Sequence, residues 1–155
     1  MKQVYLLRHG EADWPHWDAP DDERPLTKHG RKEIARVAKF LRHVGAEPRL
    51  IFTSPLPRAA ETAGIVAEIL CLELGVEATL GKGFTADQFR ALVRRHDAHS
   101  IVLVGHEPDF SRVIARLTKS RIRLAKGGVA LVEMDDAAVS GTLLWLFPPR
   151  FAKRH

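Results

Sequence analysis

Three short segments of this chain set arginine and histidine in one kind of place. Leu7-Arg8-His9-Gly10, Thr53-Ser54-Pro55-Leu56-Pro57-Arg58 and Val104-Gly105-His106-Glu107-Pro108 each close an apolar run with a turn and polar residues. In open α/β sheets, ligands bind outside the carboxyl ends of the strands. If the three runs are parallel neighbours, their turns deliver Arg8, His9, Arg58 and His106 to one electropositive pocket. Such a pocket suits a dianionic phosphoryl group. Guanidinium forks grip phosphate oxygens in pairs and offset the charge that spreads over them in the transition state. A neutral imidazole can attack phosphorus and form a phosphohistidine. Two nearby arginines lower that imidazole's pKa and keep it unprotonated. A backbone carbonyl on its other ring nitrogen would fix the tautomer. The second histidine, in its charged form, could hold a non-bridging oxygen. The helix N-termini after Pro108 and at Pro57-Arg58 would add backbone N–H donors, that of Glu107 among them. Nothing in this scheme requires a metal or a cofactor.

The elements that must position these residues are legible from periodicity. Gln3–Leu7 reads as a buried strand, and Glu11–Leu26 as an irregular loop rich in Asp and Pro. Thr27 suits the N-cap of a helix to about His43, with Ile34, Val37, Ala38 and Leu41 as its apolar stripe. Gly45 and Pro48 end it. Arg49–Thr53 is a second strand, followed by a helix through about Leu70. Val76–Leu80 is a short strand candidate, and Thr85-Ala86-Asp87-Gln88 is a capping box opening a helix to about His96. Ser100–Val104 is the clearest buried strand, and Pro108 suits the first turn of a helix that turns Phe110, Val113, Ile114 and Leu117 inward. Gly128–Met134 and Thr142–Phe147 form a closing pair of strands. Alternating strands and helices predict a three-layer α/β sandwich, with a mostly parallel central sheet flanked by helices, in a single domain spanning 1–155.

Four ordered motifs carry a resemblance. Leu7-Arg8-His9-Gly10-Glu11 resembles the signature of the histidine phosphatase superfamily, the phosphoglycerate mutase-like fold. Ser54-Pro55-Leu56-x-Arg58-Ala59-x-x-Thr62-Ala63 is similar to its second motif, and Gly105-His106-Glu107-Pro108 to its third. Arg24-Pro25-Leu26-Thr27-x-x-Gly30 matches a further stretch of the family. Length and the compact ending point to the small bacterial phosphohistidine phosphatases of the SixA type. The resemblance implies that Arg8 and Arg58 bind phosphate, that His9 is the nucleophile and that His106 stabilises the transferring group. Larger members carry an acidic proton donor after the third strand. Here that segment, Gly75–Phe89, offers Glu77 and Asp87 but no match to the acidic motif. An alkoxide leaving group needs a positioned acid. An imidazole leaving a phosphoramidate can depart already protonated. The expected activity is therefore hydrolysis of a phosphorylated histidine on a protein. A small-molecule phosphomonoesterase, acting on a sugar or nucleotide phosphate, is the alternative within enzymes. A phosphate-dependent binding module without turnover is the alternative outside them.

Other readings of these residues stay open on sequence alone. Glu11 and Glu107 flank the pocket and could serve as an acid, orient a histidine, or cap a turn. Arg24 could join the pocket or pair with Asp21, Asp22 or Glu23. Trp14 and Trp17 could line a substrate mouth or cover the core. His16, His29, His43, His96, His99 and His155 read as solvent-facing, Cys71 as a core thiol, and Arg150–His155 as a short basic tail.

Composition removes several function classes. The chain has 155 residues, 45% hydrophobic and 28% charged, which are the values of a globular domain. No apolar run approaches the ~18 residues of a membrane span, and the N-terminal run is too short for a signal-peptide core. One cysteine permits no intrachain disulfide. A cytoplasmic setting is expected. The net charge of +5 is spread along the chain, with no zinc-finger spacing or stacking motif, so an anionic substrate is expected rather than nucleic acid.

Overall fold

The computed structural model describes residues 1–153. Its strands are β1 (Lys2–Arg8), β2 (Leu50–Thr53), β3 (Glu73–Val76), β4 (Ser100–Gly105), β5 (Val129–Met134) and β6 (Gly141–Phe147). Its longer helices are α1 (Lys28–His43), α2 (Pro57–Leu70), α3 (Ala86–Arg95) and α4 (Asp109–Thr118). The strands form one six-stranded sheet in the order β3-β2-β4-β1-β5-β6. Neighbours from β3 through β1 pair in parallel, whereas β5 runs antiparallel to both β1 and β6.

Alternation along the central strands divides the core in two. Val4, Leu6, Ile101 and Leu103 face Phe89, Leu92, Phe110 and Val113 of α3 and α4. Tyr5, Leu7, Val102 and Val104 face Ile34, Val37, Ala63 and Val66 of α1 and α2. The result is the helix–sheet–helix sandwich expected from the sequence.

Register is what positions the site. Arg8 stands opposite Gly105, and Thr53 opposite Val104, so β1, β2 and β4 end level with one another. The ladder continues one residue into the turns. His9 donates its backbone N–H to Gly105 at 3.1 Å, and Ser54 to Val104 at 3.0 Å. Gly30 shows how tightly the next layer closes. A Cβ there would lie 2.3 Å from the Glu11 carbonyl oxygen, so only glycine lets α1 begin against the first turn. Thr27 caps that helix by accepting from the Gly30 N–H at 3.0 Å.

Several expectations need correction. The strand read at Val76–Leu80 is instead Glu73–Val76, and Ala78–Leu80 is a short 3-10 turn. β3 is a largely exposed edge strand, so it carries no inward alternation to read. Pro108 lies just before α4 rather than in its first turn. Cys71 is exposed, in a left-handed conformation that ends α2 (φ 56°), and is no core thiol. His96 is half-buried with its ring 4.4 Å from that of Phe52, not solvent-facing. Arg150 to Ala152 is not a free tail. Pro149–Ala152 forms a 3-10 turn whose Ala152 is buried in the core beneath α1. His155 lies outside the described residues.

Candidate active site

A cleft of about 440 Å³ opens at the level ends of β1, β2 and β4. Arg8, His9, Arg58 and His106 form its floor. Each is supplied by a strand end or by the first turn that follows one. His9 and His106 are 7% and 4% exposed, and Arg58 is 5% exposed. The two imidazole rings lie 5.3 Å apart.

Backbone and hydroxyl contacts orient these rings. His9 Nδ1 lies 2.8 Å from the Gly10 carbonyl oxygen. A carbonyl can only accept, so Nδ1 carries the proton and Nε2 keeps its lone pair. Gly10 is itself held from α2. Its N–H donates to Thr62 Oγ1 at 3.0 Å, and that hydroxyl donates to the Arg58 carbonyl at 2.7 Å. Thr62 thus ties the nucleophile candidate to the turn bearing Arg58. On the opposite side, His106 Nε2 lies 2.7 Å from Ser54 Oγ, which accepts the Leu56 N–H at 3.2 Å. The buried Ser54 hydroxyl has no other acceptor among the described hydrogen bonds, so it donates to Nε2 and the imidazole proton of His106 sits on Nδ1. Four buried side-chain polar atoms lack a hydrogen-bond partner among the described residues; His106 Nδ1 and Arg8 Nε belong to this cleft, and His96 Nε2 and Ser100 Oγ lie outside it. Buried polar atoms are normally paired. Two orphans in one cationic cleft are the mark of an anion site.

Electrostatics follow from burial. Desolvation, reinforced by His106, Arg58 and Arg8, pushes His9 down to about 3. Burial and Arg58 push His106 down to about 4. Both rings are neutral near pH 7, so His106 is not the charged group expected from the sequence. A neutral ring can still donate from Nδ1. Burial also lowers Arg8 and Arg58 from their ordinary value, yet a guanidinium remains a cation there.

Residues 4–81 match the family model of the histidine phosphatase superfamily, branch 1. This chain belongs to that superfamily. Among curated relatives, a Picosynechococcus protein of unassigned function is 33% identical over 138 residues, covering 82% of each chain. Among solved structures, the protein histidine phosphatase SixA in complex with tungstate is 26% identical, with a TM-score of 0.88 over 97% of this chain and 99% of that one. An Agrobacterium tumefaciens protein assigned as SixA shares the fold, with 20% identity and a TM-score of 0.80 over 96% and 99% of the two chains. This histidine phosphatase is therefore SixA-like, an enzyme of the phosphatase or phosphomutase type.

The sequence missed most of the rim around this histidine phosphatase cleft. Asp13, Arg24, Lys82, Lys126 and Asp109 line it beside Glu107. Arg24 alone of these was marked, by its place in a motif; the others lie on loops or helix starts outside the motifs, where nothing in the local pattern marks them. Lys126 pairs with Asp13, and Lys82 with Asp22 at 2.5 Å, and these cations hold both carboxyls below the usual carboxylate range. Arg24 does both things its sequence allowed. It lines the cleft, and its Nε lies 2.8 Å from Asp21 Oδ1. Asp21 in turn approaches Arg58, accepting at its carbonyl oxygen from Nη1 at 3.3 Å.

The four acids singled out in the sequence are all engaged as acceptors or in ion pairs. The Glu107 carboxylate accepts from the Ser111 N–H at 2.7 Å, the Ser111 hydroxyl and the Leu124 N–H at 3.2 Å. Leu124 links it to the floor, since the Leu124 carbonyl accepts from Arg8 Nη1 at 3.0 Å. Glu11 is not in the cleft and accepts from the Thr27 hydroxyl at 3.0 Å. Glu77 pairs with Arg95 at 2.7 Å, and Asp87 with Arg90 at 2.9 Å, both away from the cleft. Trp14 and Trp17 do not line it either. Their indole N–H groups donate to Pro25 and Pro20 carbonyls at 2.8 and 3.1 Å and brace the loop that carries Asp13, Asp21 and Arg24. Among the described residues, no group of three or more His, Cys, Asp and Glu could hold a metal ion.

Proposed function

We propose that this chain is a protein phosphohistidine phosphatase that works through a covalent phosphoryl group on His9. The observation that carries the reading is the Nδ1–Gly10 contact at 2.8 Å, which presents an unprotonated Nε2 among two guanidinium groups and an orphan imidazole donor. In the first step the Nε2 lone pair attacks phosphorus and the substrate P–N bond breaks. A substrate imidazole protonated on its far nitrogen leaves as a neutral ring. Arg8, Arg58 and His106 Nδ1–H hold the equatorial oxygens, where charge accumulates. In the second step water attacks, the His9 Nε2–P bond breaks and His9 returns neutral, its Nδ1 proton never having moved. The water's proton passes to the phosphate oxygens.

The cleft carboxylates favour phosphoramidate over ester. Asp13 is held ionised by Lys126, Glu107 accepts from three donors, and Asp109 Oδ2 accepts the Gly83 N–H at 2.8 Å. Each is bonded as an acceptor, whereas an ester oxygen needs a proton donor to leave. The SixA relative binds tungstate. That tetrahedral oxyanion is expected to compete with substrate here as well.

The test is acid–base profiling of a trapped phosphoenzyme, with phosphate release from phosphoramidate followed in parallel. A base-stable, acid-labile adduct on wild type, absent from His9→Ala, with turnover, supports the reading. Faster release from sugar or aryl phosphates than from phosphoramidate would make the protein a phosphomonoesterase. Oxyanion binding with no release from any of them would make it a binding module.

A further inference from the structure

A second and larger groove, of about 660 Å³, adjoins the catalytic cleft. Gly83 and Asp109 line both spaces. The saddle between them is floored by Gly83, in a positive-φ conformation (φ 91°) with open space where a side chain would project. Nothing therefore rises between groove and cleft at that point. Beyond the saddle the groove follows α4, where Arg112 and Arg116 share one face at a spacing of four residues. Arg116 lies about 10 Å along the axis from Asp109 at the helix rise of about 1.5 Å per residue.

The charges of the groove are unequal in their freedom. Arg90 is occupied, bonding Asp87 at 2.9 Å and the Val139 carbonyl at 2.8 Å. Asp87 is thereby paired, and Asp109 is buried and engaged by the Gly83 N–H. Arg112 and Arg116 are exposed on the open wall. The groove thus offers two solvent-facing guanidinium groups in a line leading away from the phosphoryl site.

We infer that this groove docks an acidic segment of the phosphorylated protein, with Asp or Glu side chains of the substrate on Arg112 and Arg116 while its phosphohistidine occupies the cleft. The inference rests on the phosphohistidine reading above. Charge complementarity and continuity with the cleft select this occupant. The reach also matters, because a small phosphorylated metabolite seated on Arg8 and Arg58 would not extend two helical turns to Arg116.

The experiment uses three synthetic peptides with one phosphohistidine each, flanked by Glu, Ser or Lys. Wild type is compared with Arg112→Glu/Arg116→Glu and with the milder Arg112→Ala/Arg116→Ala. Both positions are exposed, and neither belongs to the catalytic floor. Wild type is expected to show a KM for the Glu peptide about tenfold below that for the Ser peptide at low salt, and salt should erode the difference. The Glu double variant is expected to abolish or invert the preference, and the Ala variant to flatten it, with phosphoramidate turnover unchanged in both. Equal KM values for all three peptides in wild type, or a preference that survives both variants, would overturn the groove while leaving the phosphohistidine reading in place. Failure to hydrolyse any peptide, with a bisphosphorylated metabolite turned over and weakened by the Arg variants, would overturn both and give the groove to a second phosphate.

Discussion

The floor and the rim of the cleft are built on different physics. His9, Arg58 and His106 are buried and Arg8 is half-buried; all four sit at strand ends or a helix start and are oriented by backbone carbonyls and the hydroxyls of Thr62 and Ser54. Arg24, Lys82, Lys126, Asp13, Asp21 and Asp22 are long or loop-borne groups that pair with each other across solvent. The floor has one geometry, a fixed set of cationic and hydrogen-bonding groups held by burial and backbone contacts. The rim can rearrange its pairs at little cost, since exposed ion pairs contribute about 0–1 kcal/mol each. Recognition of the reacting group and tolerance of what carries it are thereby assigned to different residues.

That contrast can be broken from the floor upward. His9→Ala should lower phosphoramidate hydrolysis by at least about 10³-fold, because the second step has no nucleophile adduct to act on. A steady-state assay showing a smaller loss would remove His9 from the covalent role. Arg58→Lys keeps the charge and loses the fork, and should cost about 10²-fold in kcat/KM. Near-normal turnover by this variant would assign the phosphate grip elsewhere.

Acid should act on the floor before the rim. His9 and His106 sit at about 3 and about 4 when folded, below the ordinary value of 6.5. Folding is therefore favoured fully above pH 6.5, and this contribution is lost progressively as pH falls from 6.5 through those folded values. Thermal midpoints should decline with pH over that window. His9→Asn should flatten the slope between pH 6.5 and about 5, where carboxylates still contribute little. An unchanged slope would show that His9 is not held neutral by the fold.

Thr62→Val tests the support beneath the floor. It leaves the Gly10 N–H buried with no acceptor and should destabilise by about 1–3 kcal/mol, visible as a lowered Tm. Activity should fall as well, since the Gly10 carbonyl that orients His9 is released. A drop in Tm with full activity would confine Thr62 to a structural role. The smallest effect belongs to the rim. Lys126→Ala should change kcat/KM for phosphoramidate by about threefold or less. A loss comparable to that of Arg58→Lys would erase the distinction between the two regions.

How much of this was legible in the sequence varied in the same way. Helices α1, α2, α3 and α4 were readable because apolar residues recur at helical spacing beside recognisable caps, as Thr27 and Thr85 show. β3 was misplaced because an exposed edge strand has no buried face to impose alternation. Cys71 was misread because its place near a helix end does not report whether the side chain faces the core or solvent.

The amino-acid sequence alone determined the floor. Arg8, His9, Arg58 and His106 are rigidly tied to the apolar runs before them, so local pattern places them at strand ends and turn starts. Only the tertiary structure decided the rest. The level register of β1, β2 and β4 brings the four together, and burial turns His106 from an expected cation into a neutral donor. The Glu107 carboxylate is engaged by Ser111, four positions on, and by the Leu124 N–H, 17 positions on, which the linear motif did not reveal. The rim and the groove along α4 join Asp13 to Lys126 and Gly83 to Asp109 across the fold. Such contacts depend on through-space distance and desolvation, which linear spacing does not encode.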